Sequence, residues 1–431
     1  MKNVLDLLID DFHERALPEL MPRRQAITWA PGKANVVIGM RRAGKTWFCY
    51  QKMKELLAEG VEKERLLYLN FEDERLLPFE TKDFQLILET YYRKQPGFKN
   101  KRCYLFLDEM QRIEGWEKFV RRVLDTEEMG VCITGSSSKL LSSEIATALR
   151  GRSLTTEIFP FSFGEFLNFH QVNFQAPQRF GSKNKAVAQN MFNRYLKIGG
   201  FPEVQALEDE PRRQVLRNYL DVVILRDVVE RYSVSNTTAL RALLKHMMSA
   251  PASRFSINKF YNSLKSLGVA CSKNNLYDFL EYLKDAFLVY PIPIHARSER
   301  VRRVNPQKIY VIDPGLLEAM SYRMTGDQGA VLENVVFLHF RRKGAHPEYY
   351  LTEDGTEIDF VMTPEGPGER QLIQVCWDIA DPETKKREVT ALLKGMKEMG
   401  LKRGTIVTWL DEDLSDERVQ ILPAWKWLLS E

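Results

Sequence analysis

The sequence predicts a multidomain α/β protein built around a parallel sheet, with a mainly helical middle and a second α/β domain at the C-terminal end. Three observations predict it. The first 160 residues alternate short apolar strands with helices, the pattern of a parallel sheet covered on both faces. Residues 39–46 read Gly-Met-Arg-Arg-Ala-Gly-Lys-Thr between a strand and a helix, matching GxxxxGK[ST]. The last hundred residues alternate strand and helix again. At 431 residues and roughly 100–200 residues per domain, two to four domains are expected.

Composition narrows the class. Hydrophobic residues make up 44% and charged residues 28%, the ordinary globular range. No apolar run approaches the roughly 20 residues of a membrane span, so no membrane association is expected. MKNVLDLLIDDFHER carries acids within its apolar stretch and no small-residue cleavage site, which argues against a secretory signal. Five scattered cysteines without CxxC fit a reduced, cytoplasmic setting and exclude a zinc ribbon or a disulfide framework. Six scattered histidines form no HExxH. A net charge of +4 is too small to argue for nucleic acid by itself.

In chain order, the expected strands of the first domain are 34–38 (ANVVI), 66–71 (LLYLNF), 103–107 (CYLFL) and 131–134 (VCIT). A helix is expected over 46–59. A second, over 116–126, is marked by Trp116, Phe119, Val120, Val123 and Leu124 at three- and four-residue spacing.

The glycine-rich run carries phosphate chemistry. Gly39 and Gly44 let the backbone wrap closely round phosphates, and the following helix turns its positive end toward them. Arg42, Ala43 and Trp47 complete the expected nucleotide-binding segment. Lys45 is expected on the β- and γ-phosphates and Thr46 on Mg²⁺. Asp108 and Glu109 end the third apolar strand; Asp108 is expected to hold Mg²⁺ through water and Glu109 to orient or deprotonate the attacking water. A pair of solvated carboxylates at a strand end is the bland alternative. The next strand ends in Thr134-Gly135-Ser136-Ser137-Ser138. Ser136 is the candidate γ-phosphate sensor, and the serines also suit a helix N-cap. In Leu149-Arg150-Gly151-Arg152, Arg152 or Arg150 could serve a neighbouring subunit's site as a trans arginine, or be a plain surface residue.

The ordered set GMRRAGKT, LDEMQRIEGWEKFVRRVLD, ITGSSSKLL, LRGRS, FPFSFGEF, YLKIGGFPEV and ILRDVVERY resembles the AAA-type ATPases of bacteria and archaea that carry a C-terminal domain of unknown function. The resemblance runs from about residue 20 to the C-terminus. It implies ATP and Mg²⁺ as ligands and ATP hydrolysis as the activity. In its terms Lys45, Thr46, Asp108 and Glu109 are the Walker residues, GSSS is the sensor segment, and Gln111 matches as well. It also implies a small helical lid and a ring of identical subunits, six being the first expectation.

Residues 186–232 read as mainly helical. Arg226-Asp227 within them could face phosphate or be structural. Residues 236–293 read helix, helix, helix, strand, which fits a winged helix-turn-helix. Residues 295–308 read as a basic loop, the wing, with Arg297, Arg300, Arg302, Arg303 and Lys308 as candidate DNA contacts against Glu299 alone. A solvated loop or a docking face is the alternative. The order of elements after 330 resembles the restriction-endonuclease-like core, in which a helical Glu, a strand Asp and an E-x-K collect Mg²⁺. Glu333 and Asp359 match the first two positions. The third is Gln374-Val375-Cys376, an amide and a thiol poorly suited to a hard cation, so a vestigial nuclease site is expected.

The resulting organisation is an AAA-type P-loop domain over 1–165, a helical lid over 166–234, a winged helix over 235–322 and an inactive nuclease-like domain over 323–431. The expected function is Mg²⁺-dependent ATP hydrolysis coupled to DNA, branched or recombination structures included. Two alternatives stand beside it: a nucleotide-dependent switch that binds a protein partner, and an ATP-regulated nuclease.

Overall fold

The computed structural model describes residues 1–136, 149–174, 180–320, 328–363, 369–413 and 416–430. Ser137, Ser138 and the KLLSSEIATA run expected to follow them as a helix lie outside these residues. The chain forms two compact units, Met1–Phe159 and Pro160–Glu431.

The first unit is a five-stranded parallel sheet: β1 (Ala34–Ile38), β2 (Leu66–Asn70), β3 (Cys103–Asp108), β4 (Met129–Gly135) and β5 (Ser153–Glu157), in the order β2-β3-β4-β1-β5. Residues of β1, β3 and β4 are buried throughout, because helices cover both faces and leave no solvated side to alternate toward. Helix α1 (Lys2–Glu14) was not anticipated from sequence. Its Leu5, Leu8, Ile9 and Phe12 recur at helical spacing and are buried. Ion pairs Asp6–Arg93 and Asp10–Lys94 tie it to α3 (Phe84–Lys94). Helix α2 (Lys45–Ala58) leaves the glycine-rich run, and α4 (Trp116–Thr126) has the expected bounds, burying Trp116, Phe119, Val120 and Val123. Each such side chain contributes about 1.5–3 kcal/mol. Strand β5, also unanticipated, has the polar sequence SLTTE and is only partly buried at its edge of the sheet.

The second unit opens with α5 (Phe163–Phe169), held by a capping box between Ser162 and Glu165. Helices α6 (Ser182–Ile198) and α7 (Asp209–Val222) follow, and α7 widens into a π-helical stretch over Val223–Glu230. Arg226 pairs with Glu230 and buried Asp227 with Arg231, so both residues are tied within their own helix.

Next come α8 (Thr237–Ser249), β6 (Arg254–Phe255), α9 (Ile257–Ser266), α10 (Lys273–Asp285), β7 (Val289–Ile292), α11 (Glu299–Val304) and β8 (Gln307–Val311). The strands form an antiparallel sheet in the order β6-β8-β7. The expected basic loop is therefore corrected: it contains α11, and its last residue, Lys308, belongs to β8.

Helix α12 (Pro314–Met320) and α13 (Gln328–Arg342) lead to a five-stranded sheet of β9 (Glu348–Leu351), β10 (Glu357–Met362), β11 (Gln371–Cys376), β12 (Gly404–Thr408) and β13 (Val419–Pro423). Its order is β13-β12-β11-β10-β9, antiparallel from β9 to β11 and parallel from β11 to β13. Helix α14 (Pro382–Met399) makes the β11–β12 crossover and buries Leu392 and Met396 against Ile358, Leu372 and Ile406. A short α15 (Ala424–Trp427) ends the described chain.

Candidate functional site

The site lies at the carboxyl ends of β1, β3 and β4, where ligands bind in open α/β sheets. The P-loop leaves β1 at Gly39. A Cβ there would meet the Ile158 carbonyl oxygen at 2.2 Å, so only glycine allows the loop to pass so close to the end of β5. Gly44 sits at φ 103° and Arg42 at φ 65°, and these turns aim the loop before α2 starts at Lys45. Ala43 is buried, Gly44 and Thr46 are partly exposed, and Arg42 and Trp47 are exposed. The Lys45 ammonium is buried and donates to the carbonyls of Gly39 and Met40 at 3.1 and 3.2 Å. It lies 3.7 Å from a Glu109 carboxylate oxygen.

Asp108 is the hub. Its Oδ2 accepts from the Thr46 hydroxyl at 2.7 Å and from the Tyr68 hydroxyl at 2.9 Å. Its Oδ1 accepts from the Thr134 hydroxyl, which in turn accepts from the Glu109 backbone N–H at 3.0 Å. Glu109 itself takes a left-handed conformation at φ 55°, an uncommon choice for a non-glycine residue that recurs at functional sites. Gln111 donates to Glu109 Oε2 at 2.5 Å and to Ser136 Oγ at 3.3 Å.

The two neighbouring carboxyls are driven apart. Burial, then the charge of Glu109, raises Asp108 above the ordinary carboxylate range against its three hydroxyl donors. Burial also works against ionisation of Glu109, but Lys45, Gln111 and Arg41 outweigh it and hold Glu109 below its usual value. Such a split marks distinct roles for two adjacent acids. The hydroxyl of Thr46 and the carboxylate of Asp108 form a hard-oxygen donor pair suited to Mg²⁺. A cation there would relieve the burial that disfavours the charged Asp108.

Sequence reasoning missed three members. Thr134 and Tyr68 bind Asp108, and each was visible as a polar side chain on an apolar strand beside β3. Arg23 is buried; its guanidinium donates to the Ala43 carbonyl at 3.0 Å and to Phe159, and its N–H donates to Gln51 Oε1 at 2.7 Å. It braces the P-loop, and only its separation of twenty residues from Ala43 hid it.

Arg152 is not brought to this site. It precedes Ser153, which pairs with Ala34 at the amino end of β1. It is thus at the opposite sheet edge and is ion-paired with Asp125. Arg150, at φ 51°, is exposed.

In the second unit, Lys308 corrects its reading as a DNA contact. Its side chain is only 2% exposed, so it is no surface phosphate contact. Its ammonium lies 2.6 Å from Glu333, 2.8 Å from Glu357 and 2.9 Å from Asp359. An internal cation thus sits on Glu333 and Asp359, the first two positions of the expected vestigial nuclease site. Burial, then the charge of Asp359, pushes Glu333 up to about 8. Gln374 bridges the Asp359 N–H and Glu388 Oε2, at 3.3 and 3.0 Å. Among the described residues no group of three or more His, Cys, Asp or Glu is arranged to hold a metal ion. Arg302 is tied to Glu348, and Arg303 lies 3.8 Å from Glu299. Arg297, Arg300 and Arg303 are exposed.

The family described as "AAA domain" matches residues 31–167, and two domains of unknown function match 189–327 and 328–427. An uncharacterized protein of Methanocaldococcus jannaschii is 35% identical over 99% of this chain and 95% of its own length. The chain belongs to the AAA-type P-loop family with a C-terminal domain of unknown function. A second relative, an uncharacterized protein of Haemophilus influenzae, is 30% identical over 80% of this chain and 83% of its own. The solved structure of the Aeropyrum pernix ORC1 protein in complex with DNA covers 72% of this chain and 88% of its own at 11% identity, with a TM-score of 0.31. No helix among the described residues of this AAA-type protein is long and apolar enough to cross a membrane.

Proposed function

We propose that the chain is a Mg²⁺-dependent ATPase whose hydrolysis is coupled to binding or remodelling DNA, branched structures among the substrates. The observation that carries the ATPase reading is the convergence of Lys45, Thr46, Asp108, Thr134, Glu109 and Gln111 through direct contacts at one sheet edge.

Thr46 and Asp108 would hold Mg²⁺, Asp108 through water. Bound there with ATP, Mg²⁺ supplies neutralisation of phosphate charge. Lys45 exchanges its loop carbonyls for β- and γ-phosphate oxygens. Glu109, kept ionised by Lys45, orients the attacking water and accepts its proton. Gln111 fixes the Glu109 carboxylate, and Ser136 reports the γ-phosphate through Gln111. Arg152, turned away from its own P-loop, would serve the site of a neighbouring copy in a ring by leaving its ion pair with Asp125.

Two features support the DNA limb. The order helix, strand, two helices, strand, short helix, strand over residues 237–311, with sheet order β6-β8-β7, supports a winged-helix reading. Arg297, Arg300 and Arg303 are exposed in the segment that forms its wing.

The test is steady-state ATP hydrolysis at fixed physiological salt, without DNA and with single-stranded, duplex and four-way-junction DNA, using Lys45→Ala as the blank. Stimulation several-fold by one DNA form is expected. A flat response would transfer the reading to a protein-binding switch. Glu109→Gln is expected to retain ATP binding, measured by equilibrium fluorescence, while lowering kcat by about 10²-fold or more. Full turnover in that variant would remove Glu109 from its role.

A further inference from the structure

Residues 233–277 contain no Asp or Glu but six basic residues: Arg241, Lys245, Arg254, Lys259, Lys265 and Lys273. With 58 acids in 431 residues, a stretch of this length would ordinarily hold about six. The whole chain is nearly balanced, so the excess is local.

Folding uses only part of this charge. Arg241 pairs with Asp221 at 2.8 Å and Arg254 with Glu357 at 3.1 Å. Lys245, Lys259, Lys265 and Lys273 are exposed, and none forms an ion pair among the described residues. Lys273 instead lies over the Tyr261 ring, 5.3 Å from its centroid, which links the start of α10 to α9.

Helix α10 buries Leu276, Phe279, Leu280 and Leu283. Its other face presents Lys273, Asn274, Asn275, Tyr277, Asp278 and Glu281 to solvent. Ser272 caps its N-terminus by accepting from the Asn275 N–H, and the Ser272 hydroxyl also donates to the side-chain Oδ1 of Asn275. Asn275 is therefore engaged, and Asn274 is the amide left to solvent. Two large apolar residues are exposed without a folding reason: Tyr277 at 53% and Leu267, in the α9–α10 turn, at 76%. The acids begin only at Asp278, so the first turn of α10 is cationic and the rest is not.

We infer that the face made by α9, its turn and the first turn of α10 enters the major groove of duplex DNA, with Lys259, Lys265 and Lys273 on phosphates and Asn274 and Tyr277 on base edges. This rests on the DNA reading above and adds a sequence-reading element that the basic wing alone does not supply. The chemistry selects the ligand. Lysines without carboxylate partners suit a polyanion. An asparagine at a helix start can bond adenine through two atoms, and the N-terminal residues of a recognition helix are those that reach base edges. Duplex RNA is disfavoured because its deep, narrow major groove does not admit a helix.

The test measures binding of fluorescein-labelled duplex DNA to the full chain by anisotropy across a salt series. Three proteins are compared: wild type, Lys259→Ala/Lys265→Ala/Lys273→Ala, and Asn274→Ala/Tyr277→Ala. The lysine variant is expected to bind at least tenfold more weakly and to lose about 2–3 from the slope of log K against log salt, at 0.9 per phosphate contact. The second variant is expected to keep the slope and to lose preference among sequences recovered from a randomised duplex pool. All five side chains are exposed, and matching thermal unfolding midpoints confirm that both variants fold. If wild type binds duplex and the lysine variant shows the same slope, this face is not the contact and the DNA reading survives through the wing. If the second variant selects the same sequences as wild type, the base-edge assignment is overturned. If wild type binds no duplex at all, the DNA reading itself fails, and the lysine face is left for an acidic protein.

Discussion

At the end of β3, Asp108 and Glu109 are joined by one peptide bond and pushed in opposite directions by their surroundings. Asp108 is raised by burial and by Glu109, and the Thr134, Thr46 and Tyr68 hydroxyls only partly oppose this. Asp108 must be ionised to serve Mg²⁺, so a raised value moves the acid limb of activity upward in pH. Glu109, lowered, does not set that limb. The acid limb of kcat/KM, followed between about pH 5 and 8, is therefore expected to move to lower pH as Mg²⁺ is increased, because cation and proton compete for Asp108. In Thr134→Val, which removes one of the donors that lower Asp108, the limb is expected to move to higher pH. A limb indifferent to both changes would show that Asp108 does not limit activity. Thr134 also shows what the sequence left unread: its place in Thr-Gly-Ser-Ser-Ser drew attention to Ser136, yet the threonine is the residue that touches both acids.

Among the elements, two junctions of the second unit carry consequences. Gly199 and Gly200 end α6 where a Cβ at Gly200 would meet the Phe161 carbonyl oxygen at 2.2 Å and one at Gly199 would meet Asp313 Oδ1 at 2.0 Å. Asp313 accepts from the Gly200 and Gly315 N–H groups at 2.6 and 2.8 Å. Gly200→Ala is expected to lower the stability of this unit by about 3 kcal/mol, the upper range for overpacking, read from urea unfolding. The second junction is Lys308. Lys308→Met leaves three carboxyls of α13 and β10 without their cation, which costs about 3–5 kcal/mol for a broken buried pair. The same cluster sets a pH dependence. Glu333, raised to about 8, binds its proton more tightly when folded, so its contribution is complete below the unfolded value and disappears as pH rises through about 8. Glu333→Gln is expected to flatten the fall in unfolding midpoint between about pH 4.5 and 8. These junctions also show how far the sequence can be read. Strands β1 to β4 and helices α4 and α8 to α10 were legible because apolar period and turn residues act locally. Helix α1 was legible in principle through Leu5, Leu8, Ile9 and Phe12. The polar edge strand β5 and the two-residue β6 gave no such signal. Lys308 was read as a wing residue because Arg297, Arg300, Arg302 and Arg303 precede it in the same segment. Its partners lie 25 to 51 positions away in sequence, and no local pattern announces a contact made by folding.

For the whole molecule, the proposed function requires that two chemistries held in separate compact units be linked, ATP in the first and DNA in the second. Such a link is a free energy, and it is reciprocal: if bound ATP changes the affinity for DNA by some factor, bound DNA must change the affinity for ATP by the same factor. Glu109→Gln makes this measurable, because it is expected to hold ATP without consuming it and so permits equilibrium titration. Four dissociation constants are needed at one salt concentration: DNA with and without ATP and Mg²⁺, and ATP with and without DNA. The two ratios are expected to agree and to fall between about 5 and 150, the usual range of coupling. Fixed salt is essential, since phosphate contacts from Lys259, Lys265, Lys273 or the wing arginines weaken steeply as salt rises and would imitate a change in coupling. Ratios of one in both directions would mean that the units bind their ligands independently. ATP would then gate some other event, and a protein partner replaces DNA as the load on the hydrolysis cycle.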